Sequence, residues 1–240
     1  QCLLGNEFHF YDTSFAVDGS MTYEWDFGDS NKFFLHNPVK SYDKADTFPV
    51  CFTLTSSYGC ETSVTKNVYV RPMPFAEIAV NDSSQCLNTN SFVLFNPMDT
   101  INPVGSKTWF FGDGSSSNSD TALYSYSYYD TFQLTLIEET SFGCKDTARK
   151  NVYVLESPIA DFIINDSSQC LNENKFHFIN LTAFPNLSGL VYNWNFGDNT
   201  FSSDSNTSKT FSTFDTFEVQ LLAISSNVCK DSVTKQVLVL

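Results

Sequence analysis

Residues 23–29 read Tyr-Glu-Trp-Asp-Phe-Gly-Asp, and this stretch returns as Lys-Thr-Trp-Phe-Phe-Gly-Asp at 107–113 and as Tyr-Asn-Trp-Asn-Phe-Gly-Asp at 192–198. Trp and Phe two positions apart point to the same side of a strand. The Gly-Asp pair that follows is typical of a turn, because Gly tolerates positive φ and Asp caps turns through its side chain. The stretch therefore predicts a core strand that runs into a tight turn. Its recurring residues, the fold signature, are Trp25, Phe27, Gly28, Asp29, Trp109, Phe111, Gly112, Asp113, Trp194, Phe196, Gly197 and Asp198.

The spacing of these stretches indicates three copies of one unit. Phe27, Phe111 and Phe196 are 84 and 85 residues apart, and the chain's only three Trp are divided one to a copy. This period exceeds the roughly 20–50 residues of solenoid repeats and suits an independent domain. We predict three domains, at 1–71, 72–155 and 156–240.

Each copy carries short stretches in which apolar residues alternate with polar ones, as in Phe48, Val50 and Phe52, and no long stretch has the period of a helix. Short strands, turn signals, two cysteines and a core Trp per copy predict an all-β chain of three tandem immunoglobulin-like β-sandwiches. The first copy lacks the opening strand that precedes the first cysteine in the other two. We expect its first sheet to be incomplete, or completed by residues outside this sequence.

The net charge of −14 is spread evenly over the three copies. Such a surface disfavours nucleic acid and anionic membranes as partners, because the phosphate interaction would be repulsive. The sequence has no run of 18 apolar residues and no signal-peptide pattern at its start. These features predict a mature or excised fragment that does not insert directly into a membrane.

Six of the seven cysteines fall into register between copies. We predict one disulfide within each copy, each worth up to roughly 4 kcal/mol in the chain-entropy model. Regular pairing implies an oxidising, extracytoplasmic compartment. Zinc binding is disfavoured because the cysteines stand singly rather than in C-x-x-C clusters. The predicted pairs are Cys2 with Cys60, Cys86 with Cys144, and Cys170 with Cys229.

The seventh cysteine, Cys51, aligns with Thr135 and Gln220. It lies between the apolar residues Val50 and Phe52, so its side chain is expected to point away from the core. We interpret it as a free thiol, with a bond to another chain or partner as the alternative.

The signature stretch resembles the Trp-Asp-Phe-Gly-Asp-Gly hairpin of the PKD (polycystic kidney disease) domain family, whose fold is an immunoglobulin-like sandwich. The likeness covers all three copies, although Phe110 and Asn195 stand where the motif has its first Asp. A cysteine pair per domain, together with Asn-Asp-Ser-Ser-Gln-Cys-Leu at 81–87 and 165–171, is similar to tandem PKD arrays in giant surface proteins of Bacteroidetes-type bacteria, including adhesins of gliding motility. The resemblance implies further repeats of the same long chain as neighbours.

No catalytic constellation is predicted. The histidines are His9, His36 and His177, and two of them share one repeated strand position. Calcium is a structural alternative, since Asp29, Asp113 and Asp198 recur in the turn and some PKD relatives bind it; hard cations prefer carboxylate oxygens. A D-x-D-x-D-G loop is absent, and turn Asp residues commonly cap their own backbone. No other cofactor is expected.

The Bacteroidetes likeness also implies O-glycosylation at Asp-Ser/Thr-apolar motifs. These motifs place the acceptor hydroxyls at Thr100, Thr121, Thr147 and Ser232. Thr147 and Ser232 share a register and are the first expected sites.

The leading functional hypothesis is a non-enzymatic, extracellular stalk segment of a large cell-surface adhesin or filament, in which disulfide-stapled sandwiches form a semi-rigid spacer. The alternative is a carbohydrate- or protein-binding accessory module of a secreted hydrolase, with Tyr128 and Tyr129 as the aromatic contacts for polysaccharide. The two differ in whether those tyrosines are needed for binding.

Overall fold

The computed structural model describes residues 1–15, 19–98, 105–185 and 189–240. Apart from a short 3₁₀ helix at Leu87–Thr89, the regular elements in this part of the chain are β-strands, so the all-β prediction is confirmed. The first copy contains β1 (Phe8–His9), β2 (Met21–Asp26), β3 (Lys32–Phe33), β4 (Val39–Lys40), β5 (Thr47–Ser56) and β6 (Glu61–Tyr69). The second contains β7 (Ala79–Val80), β8 (Ser84–Cys86), β9 (Phe92–Phe95), β10 (Ser106–Phe110), β11 (Ser116–Ser117), β12 (Ala122–Tyr124), β13 (Asp130–Glu139) and β14 (Lys145–Leu155). The third contains β15 (Phe162–Ile164), β16 (Ser168–Gln169), β17 (Phe176–Asn180), β18 (Val191–Asn195), β19 (Phe201–Ser202), β20 (Thr207–Lys209), β21 (Asp215–Ile224) and β22 (Lys230–Val239).

The chain divides into two compact units. Unit 1 contains Gln1–Ala79, Phe95–Ala122 and Leu134–Lys150, and unit 2 contains Val80–Leu94, Leu123–Gln133 and Asn151–Leu240. The first copy thus lies in unit 1, the third lies in unit 2, and the middle copy contributes residues to both. The three domain boundaries at 1–71, 72–155 and 156–240 stay a prediction.

The first copy has a four-stranded antiparallel sheet in the order β3-β2-β5-β6, and β1 pairs with β4 in a second, small sheet. Apolar residues alternate along β5, so that Phe48, Val50 and Phe52 are buried. They pack with Trp25 and Phe27 in one core, where the rings of Trp25 and Phe52 stack with centroids 4.2 Å apart. The period-two pattern read from the sequence is confirmed here.

The third copy has a five-stranded sheet in the order β16-β22-β21-β18-β19 and a three-stranded sheet in the order β15-β17-β20. Its core contains Phe162, Phe178, Trp194 and Phe196, all buried. The opening strand β15 supplies Phe162, whose ring centroid lies 5.0 Å from that of Trp194 in an edge-on contact. The opening strand is therefore part of the core in this copy.

The middle copy repeats these pairings within each unit. In unit 1, β10 pairs antiparallel with β11 and β13, which places Trp109 opposite Ser117 and Leu136. In unit 2, β8 runs parallel to β14 and Cys86 pairs with Leu155. Parallel pairing of the same kind joins Cys2 to Arg71 in the first copy and β16 to β22 in the third. Each copy therefore holds its first cysteine beside the end of its last strand.

The signature stretch is a buried strand followed by a turn, as predicted. Each Trp donates its indole N–H to a carbonyl ten residues later, which closes the loop after the strand. Gly28 and Gly197 have φ of +71° and +79°, and a side chain at either glycine would collide with the neighbouring strand, at Pro49 or Glu218. The acceptors are Leu35 for Trp25 (3.1 Å), Ser119 for Trp109 (3.0 Å) and Asp204 for Trp194 (2.9 Å).

Candidate functional site

Two disulfides join each copy to the next, and these joints are the main candidate for a functional feature. Cys2 is bonded to Cys144, and Cys86 is bonded to Cys229, each with a Cα–Cα distance of 5.5 Å. The predicted pairs within copies, Cys2 with Cys60, Cys86 with Cys144 and Cys170 with Cys229, are therefore wrong. The residues were identified correctly as half-cystines in four of six cases, but their partners were not.

Geometry prevents a disulfide within a copy, because the two cysteines of one copy lie at opposite ends of its last strand. In the first copy Cys2 pairs with Arg71 beyond the end of β6, whereas Cys60 comes directly before the start of β6. At about 3.3 Å per residue, the strand separates them by roughly 36 Å. A disulfide requires Cα atoms about 4.4–6.8 Å apart. A pair within one copy is therefore excluded.

The third copy has the same geometry. Gln169, the neighbour of Cys170, pairs with Val239 at the end of β22, and Cys229 comes directly before the start of that strand. The strand separates the two cysteines by roughly 33 Å. Cys60 and Cys170 are both exposed free thiols in the structure.

Cys51 forms no disulfide with the described residues of this chain, and its assignment as a free thiol stays a prediction. It is partly exposed on β5, between the buried side chains of Val50 and Phe52, and it pairs with Asp26 across the sheet. It lies in the middle of a strand rather than at a strand end, so it does not share the position of the joint cysteines.

Further contacts accompany the two joints. In unit 1, the guanidinium carbon of Arg71 lies 4.0 Å from the ring centroid of Phe142, two residues before Cys144. Such a cation–π contact contributes on the order of 0.5–1 kcal/mol at an exposed site. In unit 2, the side chain of Asn88 donates to the carbonyl of Lys230 at 2.8 Å, directly after Cys229. The disulfides are thus reinforced by direct contacts between successive copies.

The signature Asp residues cap the turn, and in the first and third copies they also form ion pairs. Asp29 lies 2.6 Å from the ammonium of Lys40 and accepts the backbone N–H of Asn31 at 3.1 Å. Partial burial acts to raise the pKa of Asp29, but the hydrogen bonds from Lys40 and Asn31 outweigh it, so the pKa is lowered. Lys40 also lies over the ring of Phe27, 5.9 Å from its centroid. The carboxylate therefore anchors a lysine above the core.

The third copy repeats this arrangement. Asp198 lies 2.6 Å from Lys209, and Lys209 lies 5.6 Å from the ring centroid of Phe196. Burial acts to raise the pKa of Asp198. The hydrogen bonds from Lys209 and Thr200 outweigh this effect, so the pKa is lowered. In the middle copy Asp113 accepts the backbone N–H of Ser115 at 3.0 Å.

The calcium hypothesis at Asp29, Asp113 and Asp198 is not supported by this geometry. Among residues 1–15, 19–98, 105–185 and 189–240, no three His, Cys, Asp or Glu side chains are grouped so that they could hold a metal ion. Each of the three carboxylates serves a turn of its own copy, so we assign them a structural role.

A buried ion pair in the middle copy was missed by the sequence analysis. Lys107 and Glu138 lie directly opposite each other on β10 and β13, 3.8 Å apart, and both are almost fully buried. The side chain of Asn96 donates to Glu138 at 2.9 Å. The signal was present in the sequence, because the matching pair in the first copy is the apolar Tyr23 and Leu54.

The first copy has an open groove of about 430 Å³ where the other copies hold their opening segment. Phe10, Trp25, Phe52 and Val68 line it, together with Lys66. Residues 1–15 contain no strand before β1, and the expectation of an incomplete first sheet in this copy stays a prediction.

The third copy shows what occupies the corresponding place. There Phe162 of β15 is buried, and Lys235, the counterpart of Lys66, donates to the carbonyl of Phe162. In the middle copy the counterpart Lys150 donates to the carbonyl of Ile78 at 3.2 Å. An extended apolar segment is thus held by the same lysine in both copies.

Of the four expected glycosylation sites, Thr100 lies outside the described residues, and Thr121, Thr147 and Ser232 are exposed. The preceding acids Asp146 and Asp231 have a structural use, since they accept the backbone N–H groups of Ala76 and Ala160 at 2.9 and 2.8 Å. These motifs therefore also fasten the opening segments of their own copies.

Tyr128 and Tyr129, the aromatic residues of the binding alternative, are each about half exposed. The ring of Tyr128 contacts Phe132 edge-on, with centroids 5.2 Å apart. No helix among the described residues is long and apolar enough to cross a membrane.

Comparison with solved structures gives matches at low identity. The PKD1 domain of Epp from Vibrio anguillarum is 20% identical, with a TM-score of 0.29 over 35% of this chain and 93% of that chain. The fibronectin(III)-like modules of CbhA from Clostridium thermocellum are 12% identical, with a TM-score of 0.34 over 68% of this chain and 94% of that chain. A structure from a 1.5-MDa bacterial ice-binding adhesin is 10% identical, with a TM-score of 0.35 over 93% of this chain and 86% of that chain.

The family comparison concerns the first copy. Residues 5–72 match the family model of the PKD domain. This range contains the signature hairpin with Trp25, Phe27, Gly28 and Asp29. The resemblance predicted from the signature motif is therefore confirmed for residues 5–72.

Proposed function

We propose that this chain is a non-enzymatic structural segment of an extracellular cell-surface protein, in which tandem PKD-like sandwiches act as a semi-rigid spacer. The proposed setting is the stalk of a large adhesin or filament, of the kind that the Bacteroidetes gliding-motility resemblance implies. Its neighbours would be further repeats of the same long chain. O-glycans on Thr147 and Ser232 would belong to the same surface setting.

The observation that carries this proposal is that both disulfides connect one copy to the next. A bond within a domain stabilises that domain alone, whereas a bond between successive domains limits how far they can separate under load. Each bond closes a loop with a sequence separation of 142 or 143 residues. In the chain-entropy model such a loop contributes roughly 5 kcal/mol, which measured values often do not reach.

The same bonds support the proposed compartment, because disulfides persist in oxidising, extracytoplasmic surroundings. The net charge of −14 suits a surface protein that must stay soluble and avoid self-association. Both features support a place outside the cell and neither requires a ligand.

The spacer role can be tested by replacement in the parent surface protein. Residues 1–240 are exchanged for an unrelated array of sandwich domains of similar length, and adhesion of the cells is measured. A spacer predicts that adhesion is retained, while deletion of the segment weakens adhesion. Loss of adhesion in the replaced protein, at equal surface display, would contradict the spacer role.

The alternative function, a carbohydrate-binding accessory module, rests on the half-exposed rings of Tyr128 and Tyr129. A glycan array distinguishes the two. Binding that disappears in the Tyr128→Ala, Tyr129→Ala double variant would favour the binding module. The control is Tyr58→Ala, which removes a more exposed tyrosine of the first copy.

A further inference from the structure

Cys60 and Cys170 occupy the same positions as the bonded cysteines of the other copies. The first cysteine of a copy bonds to the second cysteine of the following copy, as in Cys2–Cys144 and Cys86–Cys229. By this rule Cys60 is a second cysteine whose partner belongs to a preceding copy. Cys170 is a first cysteine whose partner belongs to a following copy. Both thiols are exposed.

The turn that carries Cys60 has the same backbone geometry as the turns of the two bonded second cysteines. In each, the residue four positions earlier donates its backbone N–H to the cysteine carbonyl, which fixes the cysteine at the start of the last strand. Cys144 and Cys229 are buried where their partners cover them, and Cys60 is exposed. The three hydrogen bonds are Ser56 to Cys60 (2.9 Å), Thr140 to Cys144 (2.9 Å) and Ser225 to Cys229 (2.8 Å).

The segment that carries Cys170 likewise repeats that of a bonded first cysteine. The residue after the cysteine donates its backbone N–H to a carbonyl just beyond the end of the last strand. These bonds run from Leu3 to the carbonyl of Arg71 at 2.8 Å and from Leu171 to the carbonyl of Leu240 at 2.7 Å. Cys170 is thus presented at a strand end in the same way as Cys2. The bonds formed at the same positions elsewhere in the molecule are the evidence that these two thiols have a partner.

We propose that the Cys170 end of this array and the Cys60 end of another copy of it form a third joint, closed by a Cys170–Cys60 disulfide. The surface is thus a head-to-tail interface whose partner is a sandwich of the same repeat. Cys51 takes no part, because it lies within β5 and away from the strand ends. This inference rests on the proposed spacer function and adds the covalent closure of its ends.

The reaction is a thiol–disulfide exchange that needs an oxidant of the low-molecular-weight disulfide class, such as oxidised glutathione. The thiolate of one cysteine attacks the glutathione disulfide, forms a mixed disulfide and releases one glutathione thiol. The second cysteine attacks the protein sulfur of that mixed disulfide and releases the other glutathione. Two protein thiols and one glutathione disulfide thus become one protein disulfide and two glutathione thiols.

The test uses the purified 240-residue chain at high concentration in a buffer of oxidised and reduced glutathione. Roughly physiological ionic strength is needed, because copies with a net charge of −14 repel each other and salt screens exposed charges beyond about 8 Å. We expect a ladder of multiples of 27.0 kDa on non-reducing electrophoresis. Peptide mapping without reduction should show the new bond between Cys60 and Cys170.

Three variants test whether the linkage joins Cys60 of one chain to Cys170 of another. Cys60→Ser and Cys170→Ser should each abolish the ladder, and their equimolar mixture should form a dimer but no higher species, since each then supplies one end. Cys51→Ser is the matched control and should form the same ladder as the parent chain.

Two results would overturn the inference. One is a Cys60→Ser chain that links through Cys170 to itself as readily as the parent forms its ladder, since this would show random oxidation. The other is capture of glutathione by both thiols without linkage of chains. If either occurs while the replaced surface protein still supports adhesion, the spacer function stands and only the third joint is rejected.

Discussion

Reduction of the two disulfides should lengthen the chain under force by roughly 590 Å, taking about 3.5 Å per extended residue. In the oxidised chain the shortest covalent path runs from Cys2 across to Cys144, back along the backbone to Cys86, and across to Cys229. That path contains roughly 70 residues and extends to at most about 245 Å. The reduced chain of 240 residues extends to roughly 840 Å.

The two bonds should act non-additively, because the loops that they close overlap between Cys86 and Cys144. Removing one bond leaves a path of roughly 96 residues, so Cys144→Ser or Cys86→Ser alone should add only about 90 Å. Bonds confined to single copies would close separate loops of nearly 60 residues. Each loss would then add roughly 200 Å.

The measurement is single-molecule pulling between handles at the two ends, with and without a reducing agent. Cys60→Ser and Cys170→Ser serve as controls and should leave the extension of the oxidised chain unchanged. Lengthening by roughly 200 Å in the Cys60→Ser variant would refute the pairing between copies and restore the pairing within them.

Three further predictions concern the copies themselves. Glu138→Leu should destabilise unit 1 by about 3–5 kcal/mol, because it removes the buried carboxylate opposite Lys107 and leaves only the exposed Asp120, 3.8 Å away, as a partner charge among the described residues. The double variant with Lys107→Tyr should recover most of the loss, and denaturant unfolding measures both. The pKa of Asp198 is lower in the folded state, so its contribution to stability is present above its unfolded pKa and is lost as pH falls through the folded value. Asp198→Asn should therefore flatten the acid dependence of the unfolding temperature, and an unchanged pH profile would contradict the role of its pair with Lys209. A peptide of residues 158–165 should raise the unfolding temperature of the chain by filling the groove in the first copy, and the same peptide with Phe162→Asp should not.

The strands and core could be predicted from the sequence because their signals are local. Alternation along β5 identified Phe48, Val50 and Phe52 as buried, and recurrence of the signature stretch identified Trp25 and its counterparts. Such signals depend on which face of a strand a side chain occupies, and that is fixed by sequence spacing.

The disulfide partners could not be predicted in the same way. Alignment of the cysteines between copies shows which positions are equivalent, but it does not show which cysteines are close together in space. The sequence does place the second cysteine of each copy directly before a long last strand. That cysteine is therefore far from any residue that lies beside the other end of the strand. The parallel pairing of β8 with β14, which places Cys86 beside Leu155, supplies the missing distance. Sequence alone does not show that pairing, since the segments before the first cysteines are only two or three residues long.

The buried pair of Lys107 and Glu138 was missed for a different reason. Within a single strand, one charge in an apolar pattern is typical of a solvent-exposed position. Only the antiparallel register of β10 and β13 shows that the two irregular positions are opposite each other. Comparison of the three copies position by position would have found both substitutions together.

The overlap of the two disulfide loops also bears on survival outside the cell, where proteases act. A backbone cut between Cys2 and Cys86 leaves the pieces joined through Cys144, and a cut between Cys144 and Cys229 leaves them joined through Cys86. A cut between Cys86 and Cys144 is spanned by both bonds. The exposed connections between copies can therefore be nicked without separating the two ends of the chain, a tolerance to damage that bonds within single copies would not provide.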